Sequence, residues 1–283
     1  MKDNTVPKNP KYTVEYLKLL KEQKQTRDLR TSFALLSAHN GLRKGKLHLF
    51  LAPTSGGKST LGRSLLFDAL DNNPDLNVLI YLSEESEDNF LKELADSEYG
   101  NQSGLDRLVI YSEIDQGENI DSGRLLMLLE ENETDLFILD NITTAHFYQD
   151  LTIQAQGRVV GKIKNICVKK NIPVIVMAHT RAEVTDNMTR TIESNDIRGS
   201  KTIVNYSEFL YILQSFSIEQ YDTLLKKRAN KIYSTISIKK SRGEQLSHRL
   251  FFLKYDDKKR IYFSDREMEF QEFKNLYKER NHL

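Results

Sequence analysis

Eight consecutive residues, Ala52-Pro-Thr-Ser-Gly-Gly-Lys-Ser59, place two glycines, a lysine and a hydroxyl in an order that can wrap a phosphate. Glycines let the backbone curl until its N–H groups converge on a β-phosphate. Lys58 then reaches the β and γ phosphates, and the Ser59 hydroxyl ligates Mg²⁺. The chemistry implied is that of ATP with Mg²⁺. The expected nucleotide contacts are Ala52, Pro53, Thr54, Ser55, Gly56, Gly57, Lys58, Ser59 and Thr60. Such a loop needs a carboxylate for the metal, and Asp140 closes the apolar run LFILD, where it can orient Mg²⁺ through a bound water. Glu84 and Glu85 follow the run VLIYL, and either can act on the attacking water. His179 ends the run PVIVMA, where a polar group can sense the γ-phosphate. Each has a plainer explanation: a strand-ending aspartate, glutamates favoured by a helix dipole, a structural histidine. Their association with a phosphate loop favours chemistry.

These residues need a scaffold that brings strand ends together, and the apolar pattern supplies one. Short uninterrupted apolar runs at Leu47–Ala52, Val78–Leu82, Leu108–Tyr111, Leu136–Asp140 and Pro173–Ala178 read as strands. They alternate with helical stripes at Lys58–Leu70, Glu87–Asp96, Arg124–Glu130 and Gln154–Lys170. Runs that are apolar throughout predict strands covered on both faces, hence a mainly parallel sheet flanked by helices. After Phe209 the pattern changes to strand after strand, at Phe209–Leu213, Ile232–Lys239, Arg249–Tyr255 and Ile261–Phe263, an antiparallel extension of the same sheet. A last helix is expected near Arg266–Tyr277, carrying Phe270, Phe273 and Tyr277. Ahead of the α/β region, residues 1–10 are polar, and Tyr12, Tyr16, Leu19 and Leu20 form the stripe of a helix over Tyr12–Lys24, suited to docking on a neighbouring subunit. The chain therefore divides into an arm and linker helix, 1–30, and an α/β domain, 31–283.

Composition sets the remaining bounds. With 283 residues, the chain is long enough for one large domain and an appendage. No run approaches the roughly 18 apolar residues of a membrane helix, and the first residues lack a secretory signal, so a cytoplasmic protein, without a membrane partner, is expected. The single cysteine, Cys167, excludes an internal disulfide and sits in an apolar helical stripe as a core residue. A net charge of +1 leaves nucleic acid open as a partner, because a ring that threads one strand needs positive charge on its pore loops alone.

Taken together, these residues resemble the C-terminal motor domain of DnaB-family replicative helicases and phage primase-helicases. The resemblance runs from about Thr31 to Ser264. It is carried by Thr31-Ser-Phe33 with Leu36, by Gly41-Leu42 and Gly45-Lys46-Leu47, and by Tyr81-Leu-Ser-Glu-Glu-Ser86. Val176-Met-Ala-His-Thr180, Asp196-Ile-Arg-Gly-Ser200 and Lys239-Lys-Ser-Arg-Gly243 follow in the family's order. The resemblance implies a RecA-like P-loop fold in which Glu84, rather than Glu85, is the catalytic carboxylate and His179 the phosphate sensor. It places Lys240 and Arg242 as a finger pair that completes the site of the next subunit in a homohexamer. It further implies single-stranded DNA as partner and movement from 5′ to 3′.

Contacts to DNA are expected from the segment between Thr180 and Ser200, through Arg181, Arg190 and Arg198, and from Thr143–Gln156. The family's N-terminal domain, which binds primase or a loader, has no counterpart before Thr31, and Ser37 replaces the aspartate usual after Leu36. Primase, polymerase or a loader would then be met from outside. Two other readings share the fold: a RecA- or RadA-like recombination ATPase forming filaments on single strands, and a KaiC-like regulatory ATPase with a protein client.

Overall fold

The computed structural model describes residues 28–38, 40–96, 104–116, 121–181, 192–222, 227–242 and 249–269, with portions of three strands (216–222, 227–233, 265–269) as main chain alone. The expected helix Tyr12–Lys24, Arg190 and Gly243 lie outside the described residues, as do Phe270, Phe273 and Tyr277.

In chain order the elements are α1 (Ala34–Ser37), β1 (Leu47–Ala52), α2 (Lys58–Asn72), β2 (Val78–Leu82), α3 (Glu87–Ala95) and β3 (Leu108–Ser112). Then come α4 (Glu113–Gln116), α5 (Ser122–Glu131), β4 (Leu136–Asp140), α6 (His146–Gln149), α7 (Ile153–Lys170), β5 (Val174–His179) and α8 (Thr202–Tyr206). Four long strands close the fold: β6 (Phe209–Asp222), β7 (Lys227–Ser241), β8 (Arg249–Asp256) and β9 (Ile261–Glu269). One nine-stranded sheet results, in the order β3-β2-β4-β5-β1-β6-β7-β8-β9. Neighbours from β3 to β6 pair in parallel, and those from β6 to β9 antiparallel.

Because strand side chains alternate, the all-apolar runs feed two cores. Phe50, Val78, Ile80, Leu136, Ile138, Ile175 and Met177 face α2, whose Leu61, Leu65, Leu66 and Leu70 cover them. Leu49, Leu51, Leu79, Phe137, Leu139, Val174 and Val176 face α5 and α7, met by Leu125, Leu129, Val159, Val160, Ile163 and Cys167. Helix starts are set by caps: Ser86, Asp121 and Thr152 accept from the amides of Asn89, Arg124 and Ala155. Asn171, at φ 55°, ends α7 in the left-handed conformation that returns the chain to β5.

The second half of the sheet differs from the sequence expectation in two places. β6 and β7 run far beyond the expected Phe209–Leu213 and Ile232–Lys239, pairing from Phe209↔Ser241 out to Asp222↔Lys227. The residues from Arg266 to Glu269 continue β9 as a strand paired with β8, where a helix was expected. The mixed charged and apolar residues of RIYFSDREME suit an edge strand as well as a helix face, and pairing to β8 decides between them. The strand also curls back toward α2, where Tyr262 N donates to Ser64 Oγ (2.8 Å).

Candidate active site

Parallel register brings the strand ends to one edge. Ala52 lies opposite His179 and Leu82 opposite Asp140, so the chain leaves β1, β2, β4 and β5 for loops on the same side. The loop after β1 turns through Ser55 at φ 59° and Gly57 at φ 81° before α2 begins at Lys58. Both glycines are required. A Cβ on Gly56 would stand 2.9 Å from Pro53 O, and one on Gly57 would stand 2.5 Å from Tyr262 Oη. Thr54 and Ser55 are exposed, Gly56, Gly57, Ser59 and Thr60 half-buried, and Ala52, Pro53 and Lys58 buried.

The charged groups of this edge converge. Lys58 Nζ donates to Asp140 Oδ1 at 2.6 Å and lies 3.8 Å from Glu84 Oε2. His179 Nε2 is 3.3 Å from Glu84 Oε1, and Asn141 Nδ2 is 3.3 Å from the same ring nitrogen. An ionised carboxylate beside Nε2 favours the tautomer that carries its proton there and donates to Glu84. That leaves His179 Nδ1 buried with no partner among the described residues. The histidine hydrogen bond holds the Glu84 carboxyl down at about 2, against the opposing effect of burial and with help from Lys58. Glu85 points elsewhere. It accepts from Arg63 Nη2 (2.9 Å), and burial raises its carboxyl above the ordinary value despite that guanidinium. Two adjacent glutamates thus occupy different environments, and Glu84 is the one in contact with the lysine and histidine.

Two residues of this edge carried no weight in the sequence reading. Asn141 is fully buried; its Oδ1 accepts from Thr143 Oγ1 (2.6 Å) and Thr144 N (3.1 Å), which aims its amide nitrogen, a donor, at the Glu84 carboxylate beside His179 Nε2. Its backbone N donates to Ser83 Oγ (2.9 Å), tying the loop after β4 to the loop that holds Glu84. The available signal was position alone: an asparagine directly after the strand-ending aspartate. Tyr262 comes from β9, more than two hundred residues away in sequence from Gly57, and nothing local marks it.

Lys240 and Arg242 lie elsewhere. Lys240 pairs with Leu210, and Arg242 N donates to Glu208 O (3.0 Å) while Glu208 N donates to Leu47 O (3.1 Å). This is the start of β1, five residues or roughly 17 Å from the phosphate loop at its end. Lys240 Nζ donates to Val204 O, and Arg242 Nη2 to Asn205 O (2.8 Å), both at the C-terminal end of α8. Burial, then the neighbouring Arg242, lowers the Lys240 ammonium below its usual value. Glu208, the nearest acid, is held by Lys164 (2.6 Å) and the Leu47 amide (2.9 Å).

Of the residues expected to meet DNA, Arg181 is exposed and its Nη2 donates to Gly199 O (3.3 Å). Arg198 is exposed too, with its backbone N on His179 O (2.9 Å), one residue beyond the Thr180–Ile197 bridge. In the other expected stretch, Thr143 is buried and donates to Asn141, and Gln156 is buried with its Nε2 on Tyr148 O (3.0 Å). Those two side chains serve the fold.

The donor set suits Mg²⁺ and a polyphosphate. A serine hydroxyl at the first turn of α2 and a carboxylate on β4 are hard oxygen donors, and Lys58 stands between them and the loop amides. Ser59 and Asp140 would hold the ion, the latter through water. No helix among the described residues is long and apolar enough to cross a membrane.

Comparison with known proteins agrees with this geometry. A family model described as "AAA domain" matches residues 22–183, more than half of the chain. No curated protein matches the sequence. Among solved structures, a KaiC-like protein from the hyperthermophilic archaeon Pyrococcus horikoshii OT3 is similar with a TM-score of 0.57 at 12% identity, over 81% of this chain and 93% of that one. At that identity the likeness is one of fold: a RecA-like P-loop architecture with a mainly parallel sheet and an antiparallel extension.

Proposed function

The chain belongs to the AAA domain family, and from that premise we propose that it is an ATP-hydrolysing DNA helicase, a homohexameric ring that draws one strand through its centre, 5′ to 3′. The observation that carries this reading is the separation of two cationic groups. Lys58 and its carboxylates sit at one edge of the sheet; Arg242 sits at the other, level with Leu47 and roughly 17 Å away along β1, and Lys240 lies level with Leu49, roughly 10 Å away. A rigid strand cannot bring that pair to its own phosphate loop. In a ring it would serve the loop of the next copy, so each site would be built from two chains.

Within that site the loop amides and Lys58 bind the phosphates. Mg²⁺, when bound at Ser59 and Asp140, neutralises phosphate charge. Lys58 must leave Asp140 to reach the phosphates, and this also removes one of the charges that depress Glu84. Glu84, held ionised chiefly by the His179 hydrogen bond, is the carboxylate positioned to orient the attacking water and accept its proton. His179, in contact with Glu84 and one residue before Thr180, registers occupancy of the site and passes it to the segment that carries Arg181 and Arg198. Arg242 of the neighbouring copy stabilises the charge on the transferring group. The arm expected to dock on the adjacent subunit is shortened to residues before Asp28, because Leu29 is buried in this domain's own core and bridged to Leu42; primase, polymerase or a loader remain the external partners of the ring.

Strand displacement on forked DNA with ATP, run with either tail removed, tests the proposal. Unwinding that needs the 5′ tail is the expected result. Turnover that neither responds to single strands nor accompanies unwinding overturns it and favours a regulatory ATPase.

A further inference from the structure

β6 and β7 outlast their neighbours. β6 pairs with β1 as far as Ile212, and β7 pairs with β8 only over Ser234–Ser237. Beyond Ser215↔Ser234, seven further pairs, from Phe216↔Tyr233 to Asp222↔Lys227, have no third strand among the described residues. At about 3.4 Å per residue this is a two-stranded ribbon roughly 24 Å long. β6 runs parallel to β1, so the ribbon stands beyond the sheet edge that carries the phosphate loop, Glu84 and His179.

An isolated ribbon of this kind is marginal in water and needs something to lie against. Its base is tied to the segment expected to meet DNA. Ile192, where that segment rejoins the described chain, donates its backbone N to Gln214 Oε1 (3.1 Å), and Gln214 is buried at the foot of the ribbon. Glu193 accepts from Lys239 Nζ (3.0 Å) on β7. The ribbon and the Thr180–Ser200 segment therefore share one anchorage. Register distributes the ribbon's residues between two faces. Phe216, Ile218, Asp222, Lys227, Lys231 and Tyr233 share one face, and Glu219, Tyr221 and Arg228 the other. The return strand opens on Lys227-Arg-Ala-Asn-Lys231, three bases in five positions without an acid, in a chain whose net charge is +1. Aromatic rings interleaved with cations on an extended platform suit stacked bases and phosphates, with little preference for sequence. A protein interface of the same size would favour fewer lysines.

We propose that the β6–β7 ribbon is a second binding element for single-stranded DNA, anchored beside Ile192 and Glu193. The inference rests on the reading of the protein as a DNA motor. It is tested with the full chain, a fluorescent oligo(dT) and a non-hydrolysable ATP analogue. In one variant Ser215 is joined to Ser234 through Asn-Gly, which keeps the last pair next to β8. In a second, Lys227→Glu and Lys231→Glu leave the ribbon's length intact. We expect at least tenfold weaker oligo(dT) binding in both, with DNA-independent ATP turnover and sedimentation unchanged. The charge variant should also lower the slope of log Kd against log salt by about 1, as loss of one or two phosphate contacts requires. Equal affinity in parent and variants overturns the ribbon's role while leaving the motor reading intact. A parent chain that does not bind oligo(dT) overturns both. A shift of the shortened variant to smaller assemblies, with the affinity per chain preserved, assigns the ribbon to contacts between subunits and overturns the DNA assignment.

Discussion

The two cationic groups of this fold are held by different partners. Lys58 is buried and spends its charge on Asp140 at 2.6 Å, with Glu84 beyond it. Arg242 is exposed and Lys240 half-buried, and the bonds their side chains make are to backbone carbonyls of Val204 and Asn205. A carboxylate neutralises a cation; a carbonyl orients it and leaves its charge available. The first arrangement is a resting site, closed on itself until a polyphosphate outcompetes Asp140. The second is a pair of cations aimed from a rigid strand end and still able to meet an anion from outside.

The sharpest way to break this contrast is Arg242→Ala. Turnover should fall by about 10³–10⁵-fold, the range for a finger that stabilises the transferring phosphoryl group. Stability should change by about 1 kcal/mol or less, since one exposed bond to a carbonyl is lost. Mixed with the parent chain, the variant should depress activity more steeply than its share of subunits, because each defective copy disables a neighbour. A linear decline with dilution places Arg242 outside the shared site.

Glu84→Gln comes next. Removing a positioned carboxylate that acts on water should slow turnover by about 10²–10⁴-fold while nucleotide binding and assembly persist. Glu85→Gln supplies the control: its carboxylate is tied to Arg63, so turnover should stay within about twofold. If the two variants exchange these phenotypes, the division of labour between the adjacent glutamates is wrong.

Lys58→Ala separates the two groups by stability. Without nucleotide it strands Asp140 in a buried position, where an unpaired charge costs about 3–5 kcal/mol in an enclosed site. Glu84 alongside is half open to solvent, so roughly 2 kcal/mol is the expected loss in urea unfolding. Adding Asp140→Ala should return most of it. Lys240→Ala, which strands no carboxylate, should lie within about 1 kcal/mol of the parent. Equal losses for Lys58→Ala and Lys240→Ala erase the distinction.

What could be read from the sequence follows the same division. The parallel half was legible because β1, β2, β4 and β5 are buried on both faces and read as pure apolar runs, so their ends, and therefore Asp140, Glu84 and His179, could be placed on one edge. The antiparallel half was less legible. SFSIEQYD and KRANKIYS mix polar and apolar residues, and beyond Ser215↔Ser234 no third strand pairs with them among the described residues, so no apolar run marks the ribbon's length. The end of β9 carries alternating charges at the edge of the sheet, and the same residues suit a helix face. Asn141 and Tyr262 depend on contacts between distant parts of the chain, which periodicity does not encode. That Lys240 and Arg242 act across an interface was an expectation from family resemblance; the strand register adds the physical reason they cannot serve their own loop.

The smallest expected effect tests how the resting site holds its charge. A carboxyl whose folded value is about 2, against an ordinary 4.5, binds protons less readily folded than unfolded. It therefore stabilises the fold in full above 4.5, and that contribution is lost as pH falls through about 2. Glu84→Gln cannot ionise and lacks it. The urea midpoints of parent and variant should differ by a constant amount above roughly pH 5 and converge between 4.5 and 2. Because Glu84 is 45% exposed, the separation should be modest and should shrink further in salt. Saturating nucleotide should shrink it again, since Lys58 is then drawn to phosphate. Acid curves that run parallel from pH 6 to pH 2 would mean that His179 and Lys58 do not hold this carboxylate, and that the edge is not closed on itself at rest.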